Sequence, residues 1–103
     1  MKQKAYIAGK ITGDPEYLKK FASAQEELER QGYIVLNPAL LPEGMASSDY
    51  MRIFMAMLDT ADVVFFLPGC VDSKGAQLEK QYCAYVQKTG YIFEETTDGT
   101  INF

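Results

Sequence analysis

The sequence predicts an α/β fold, a small three-layer sandwich built on a mainly parallel sheet. Two observations predict it. Apolar runs alternate with stretches of helical period in the order βαβαβαβ, with no internal repeat or linker. The third run, ADVVFFLPG, is also apolar almost throughout, as a central parallel strand buried on both faces should be.

Each element follows from its residues. KAYIAG, residues 4–9, is a short buried strand ending at Gly9. After the loop KITGD, Asp14 and Pro15 suit the start of a helix, a capping residue with proline in the first turn. Tyr17, Phe21, Ala24 and Leu28 recur along it at helical spacing, and Gly32 is placed to end it with a left-handed cap. YIVLNP forms the second strand, closed by Asn37-Pro38. The loop ALLPEGMASSD is longer than most connections and so a candidate for function. Ser48 or Asp49 would cap the next helix, with its stripe of Tyr50, Ile53, Phe54, Met57 and Leu58. After the third strand a helix from Asp72 or Ser73 runs to Gly90; YIFEE is the fourth strand, and INF offers a fifth. EETTDGT between them is a turn with solvated charges. Right-handed crossovers give a flavodoxin-like sheet ordered 2-1-3-4, possibly extended by the fifth strand. Such sheets bind ligands beyond the carboxyl ends of their strands, where GKITGD and PGCVDSKGA converge.

Composition narrows the chemistry. The 103 residues suit one domain with one core, 48% of them hydrophobic and 23% charged. A net charge of -4, with Lys19-Lys20 the only adjacent basic pair, argues against a nucleic-acid polymer as partner. There is no histidine, and the two cysteines form no C-x-x-C pair. That removes the common zinc sites and the histidine-dependent triads, so no metal or cofactor is expected. Carboxylates, Tyr, Ser, Thr, Lys and Cys are left to carry any chemistry. No apolar run reaches the roughly 20 residues of a membrane span. MKQKAYIAGK is too soon interrupted to read as a signal peptide, which makes the cytoplasm the expected location.

One carboxylate is out of place. At 100° per residue the neighbours of Glu79 around its helix are Gly75, Ala76, Tyr82, Cys83 and Val86, an apolar face. A carboxylate there costs free energy unless it is paired or used. Pairing with Lys10, Arg52 or a backbone amide, or a helix turned toward solvent, are its structural explanations. Ser73 caps the same helix start, and a cap whose amides face a crevice is also an anion site. Gly9, Gly13 and Gly69 read as turn residues, and Gly9-x-x-x-Gly13 lacks the Gly-Lys-Ser/Thr ending of a Walker loop. Cys70 could sit near a helix N-terminus, but with no histidine or nearby second cysteine a thiol role is not expected. Tyr6 points either into the core or toward the crevice, and alternation leaves both open.

AYIAGKITG, ADVVFFLPG and S-x-G-A-x-x-E at 73–79 together resemble the nucleoside 2-deoxyribosyltransferase superfamily over nearly the whole chain. The nearest likeness is to short bacterial and phage proteins with AGxITG and LPG…SxGAxxE motifs. The resemblance implies that Glu79 is a nucleophile attacking the anomeric carbon of a nucleoside or its 5'-phosphate. It implies that Ser73 binds phosphate, that Tyr6 lies near the sugar, and that Gly9 allows close backbone approach; Gly75, on the helix reading itself, would let the first turn sit close to a neighbour. Lys10 would suit a phosphate. A carboxylate at a helix start is expected to stay ionised at neutral pH, as a glycosidase nucleophile must. The superfamily places an Asp eight residues before the Asp of the A-D-V-V strand start; from Asp62 here, that position is Phe54. Asp49 and Asp59 are the candidates to replace it. The expected partner is a small-molecule nucleoside or nucleotide. Homodimers or larger homo-oligomers are expected, through helix 50–58 or the C-terminal strand. A non-catalytic nucleotide-binding module and a phage or mobile-element interaction protein are the alternatives.

Overall fold

A computed structural model describes residues 1–69, 73–92, 94–95 and 101–102. Strand β1 (Lys4–Ala8) is followed by helix α1 (Tyr17–Arg30), strand β2 (Ile34–Leu36) and a 3-10 turn at Pro38–Leu40. Helix α2 (Ser47–Thr60), strand β3 (Val63–Phe66), helix α3 (Lys74–Val86) and strand β4 (Thr89–Ile92) complete the main body. The four strands form an all-parallel sheet in the order β2-β1-β3-β4, with Tyr6 paired to Leu36 on one side and Val64 on the other. This is the flavodoxin-like arrangement. Among the described residues no fifth strand joins that sheet. Strand β5 (Glu94–Glu95) pairs antiparallel with strand β6 (Ile101–Asn102) as a separate two-stranded ribbon. The turn expected at 96–100, Cys70 and Asp72 lie outside the described residues. No helix among the described residues is long and apolar enough to cross a membrane.

The period of two in each strand sorts the core into two layers. Ala5, Ile7, Val63 and Phe65 face Phe21, Ala24 and Leu28 of α1. Tyr6, Ala8, Val64 and Phe66 face the other way, with Leu58 of α2 and Cys83 of α3. The chain changes face because the strand order reverses direction after β2: a right-handed crossover must then put α2 and α3 opposite α1. At the amino end of the sheet, the Lys4 backbone N–H and Nζ both donate to Asp62 Oδ2, at 2.8 and 3.2 Å.

The helix ends differ from expectation in ways the backbone explains. Helix α1 begins at Tyr17, not at Asp14-Pro15. The Asp14 carboxylate is drawn into a local turn, accepting from the Glu16 N–H and from Lys20 Nζ, both at 2.9 Å. Its C-terminus is as expected: Gly32 at φ +97 lets the Tyr33 and Gly32 amides reach the Leu28 and Glu29 carbonyls, a Schellman closure. Helix α2 is capped by neither Ser48 nor Asp49, which lie within its first turn after an extended Ala46. Instead the Tyr50 hydroxyl ties down the preceding loop, donating to the Pro42 carbonyl at 2.6 Å and accepting from the Met45 amide at 3.2 Å. Helix α3 stops at Val86 rather than Gly90. Gln87 takes the left-handed position at φ 60, and Lys88 and Gln87 amides close on the Cys83 and Ala84 carbonyls. Gly90 is freed to be part of β4, where a Cβ would come within 3.0 Å of the Phe66 ring.

Candidate active site

The loops leaving β1, β2 and β3 surround a cleft of about 860 Å³ at the carboxyl ends of the strands. That volume suits a small organic ligand. Gly9, Ile11 and Thr12 contribute from the first loop, Pro38, Ala39 and Leu41 to Glu43 from the second, and Ser73 to Ala76 from the start of α3. Tyr17, Tyr50, Met51 and Phe54 add helical side chains to the wall, and Leu78 and Glu79 line it as well. Gly9 is needed here for packing, since a Cβ would lie 3.1 Å from Leu67 Cβ and 3.2 Å from Phe21 Cζ. Gly75 stands where a Cβ would meet the Met51 methyl at 3.2 Å.

Helix α3 is started by Ser73, whose extended backbone lets Oγ accept from the Ala76 amide at 3.2 Å. With that start, Ala76, Glu79 and Cys83 fall on the buried face. Glu79 is only 3% exposed, and its Oε2 has no hydrogen-bond partner among the described residues. Neither cation offered as its partner pairs with it. Arg52 pairs with Asp49 at 3.3 Å, and Lys10 lies back over Gly13, beside Asp14 and outside the cleft lining. The group that does reach Glu79 comes from the sheet. Tyr6, 1% exposed on the α2–α3 face of β1, has its hydroxyl in hydrogen-bonding reach of the Glu79 carboxylate. The choice that alternation left open is thus settled: Tyr6 is a core residue whose tip meets the candidate nucleophile.

Burial raises the Glu79 carboxyl to about 7, and the Tyr6 hydrogen bond only partly opposes it. The expectation of a fully ionised carboxylate is therefore corrected. Glu79 is the sixth residue of α3, past the first turn where the macrodipole acts, so desolvation wins. At neutral pH ionised and protonated forms are comparably populated. The neighbours shift in turn. Burial, then the Glu79 charge, pushes the Tyr6 phenol well above its ordinary value, and the same two causes raise the Cys83 thiol.

The other expected residues divide. Gly9, Ser73, Gly75 and Glu79 line one cleft, whereas Lys10 does not and Tyr6 stands behind Glu79. Phe54 occupies the cleft wall and stacks on Tyr50, ring centroids 5.9 Å apart at 28°. Neither Asp49 nor Asp59, the candidates for the acid that the resemblance implies, lines the cleft. Asp49 is turned to Arg52, and Asp59 accepts from the Tyr82 hydroxyl at 2.7 Å. Among the described residues the carboxyl that does line the cleft besides Glu79 is Glu43, which accepts from the Tyr17 hydroxyl at 3.1 Å. Sequence reasoning passed over Glu43, Tyr17 and Lys74; the length of the 39–49 loop was the one available signal. Among the described residues no three Cys, Asp or Glu side chains converge as a metal site requires.

No curated protein matches the chain. A family model described as "Domain of unknown function (DUF4406)" matches residues 3–91, which include every strand of the main sheet but the last residue of β4, and all three helices. The cleft and the buried glutamate lie inside that span, and the chain belongs to the DUF4406 family.

Proposed function

We propose that the protein acts on the N-glycosidic bond of a nucleoside or nucleotide, with Glu79 as nucleophile. One observation carries the reading: a desolvated carboxylate with a free oxygen lines a ligand-sized cleft at the switch point of the sheet. In its ionised form Glu79 attacks the anomeric carbon as the base departs, and a glycosyl ester results. Water or a second base then takes the sugar and returns the carboxylate. Low local dielectric strengthens the attraction between Glu79 and an oxocarbenium-like transition state. Tyr6 holds the carboxylate in place and favours its ionised form. Ser73 and the first amides of α3 are placed to receive a hydroxyl or phosphate of the sugar. A cytoplasmic homo-oligomer is part of the same reading, checked by sizing in solution.

The test is single-turnover release of free base from deoxynucleosides and their monophosphates, wild type beside Glu79→Gln. Release in wild type and a loss of at least about a hundredfold in the variant is the expected result. Equal rates in the two proteins would remove Glu79 as nucleophile. Phe54, in the position of the absent acid, favours a second reading: the same cleft binding a nucleotide-like ligand without turnover. Saturable binding by calorimetry with no base released supports that one.

A further inference from the structure

We infer that the cleft takes an N-glycoside whose base already carries a fixed positive charge at the glycosidic nitrogen, a pyridinium nucleoside. This rests on the nucleophilic role of Glu79 and names the substrate class.

Three independent features point the same way. The first is the leaving group. A neutral purine or pyrimidine departs poorly unless its nitrogen is protonated, and among the described residues the cleft lining holds no carboxyl besides Glu79 itself and Glu43. Asp49 and Asp59 are engaged elsewhere. Glu43 already accepts a hydrogen bond from the Tyr17 hydroxyl, and burial, then that bond, raises the Tyr17 phenol, making it a weaker acid. A pyridinium base needs no proton, because it leaves as a neutral pyridine.

The second is charge. All ten lysines and arginines lie within the described residues, and Lys74 alone of them lines the cleft, against Glu43 and Glu79. Lys4, Lys20, Arg30 and Arg52 are in ion pairs outside it, and Lys88 is bound to main-chain carbonyls. With two carboxyl groups and one ammonium among the described residues that line it, the cleft suits a cation better than a phosphate dianion. The third is its wall. Tyr17, Tyr50 and Phe54 present aromatic rings, and Tyr50 is pinned by its hydroxyl to the Pro42 carbonyl. The negative faces of such rings attract a planar cation.

The step balances without a general acid. A Glu79 oxygen forms a bond to the anomeric carbon, and the carbon–nitrogen bond breaks with its electron pair going to the pyridinium nitrogen. Carboxylate and cation become ester and neutral base. Water then attacks the same carbon, the carboxylate leaves, and one proton passes to solvent. A cation beside Glu79 also favours the ionised nucleophile that burial disfavours.

The experiment compares kcat/KM for base release from nicotinamide riboside and its 2-deoxy analogue with that from adenosine, 2'-deoxyadenosine and 2'-deoxyadenosine monophosphate. Each is run on wild type, Glu79→Gln and Glu43→Gln. Expected are a preference of at least about a hundredfold for the pyridinium probes, abolished turnover in Glu79→Gln, and a KM for those probes raised several-fold in Glu43→Gln. Neutral nucleosides or the monophosphate released as fast as the pyridinium probes, in a Glu79-dependent way, overturn this inference and leave the nucleophile intact. No release from any probe, or release untouched by Glu79→Gln, overturns both. Glu43 is exposed, so its variant should fold and report charge alone.

Discussion

Replacing Glu79 by Gln should stabilise the protein, increasingly so as the pH rises from 5 to 8. The carboxyl is held at about 7 when folded and at its ordinary 4.5 when unfolded. Between those values the folded state binds the extra proton, so this group favours folding most at low pH. Its contribution falls as pH rises through 4.5 and is fully lost above 7. At roughly 1.4 kcal/mol per tenfold, the displacement amounts to about 3 kcal/mol. That is a large part of the roughly 5–15 kcal/mol expected of a domain this size. Gln is nearly isosteric and cannot ionise. At pH 5 the two proteins should therefore be close in stability, and at pH 8 the variant should be ahead by about 2–3 kcal/mol, or roughly 10 °C in Tm. Asp14, Glu27 and Asp62 have lowered values and act in the opposite sense, losing their contribution as the medium falls below about pH 4, outside this window. Urea titrations of both proteins at pH 5, 6, 7 and 8, with equal m-values, read the difference directly. A gap that stays constant across that range would refute the buried, desolvated carboxylate. The same variant should lose the proposed activity, the usual cost of a site that stores unfavourable charge.

Three further outcomes follow from single contacts. Tyr6→Phe removes the hydrogen bond that favours ionised Glu79, so the Glu79 carboxyl should titrate at higher pH in a carbon-detected NMR titration. Lys88 Nζ donates to the Leu58, Asp59 and Ala61 carbonyls and so closes the C-terminus of α2. Lys88→Met should cost about 2–3 kcal/mol in urea unfolding and speed amide exchange near the end of α2. Gln87 is a non-glycine residue at φ 60, so Gln87→Gly should stabilise by about 1 kcal/mol in the same assay, and a loss of stability would show that its side chain matters more than its backbone.

The sequence by itself determined the sheet order and the oddity of Glu79, because both rest on local periodicity and connection rules. Strand–helix succession with right-handed crossovers leaves few alternatives to 2-1-3-4, and 100° per residue puts Glu79 beside Ala76 and Cys83 whatever surrounds the helix. The tertiary structure decided the rest. A strand's period of two says that Tyr6 and Ile7 face opposite ways, but only the packing of α3 says which of them meets Glu79. Glu43 sits on a loop, and a loop residue's place in a cleft depends on long-range contacts such as its Tyr17 hydrogen bond. The helix starts moved because Asp14 and Tyr50 found partners that composition does not reveal. The charge state of Glu79 moved furthest. Helix position alone argues for a carboxylate, whereas the solvent that would sustain it is removed by Tyr6, Cys83 and the sheet, and burial is a property of the folded whole.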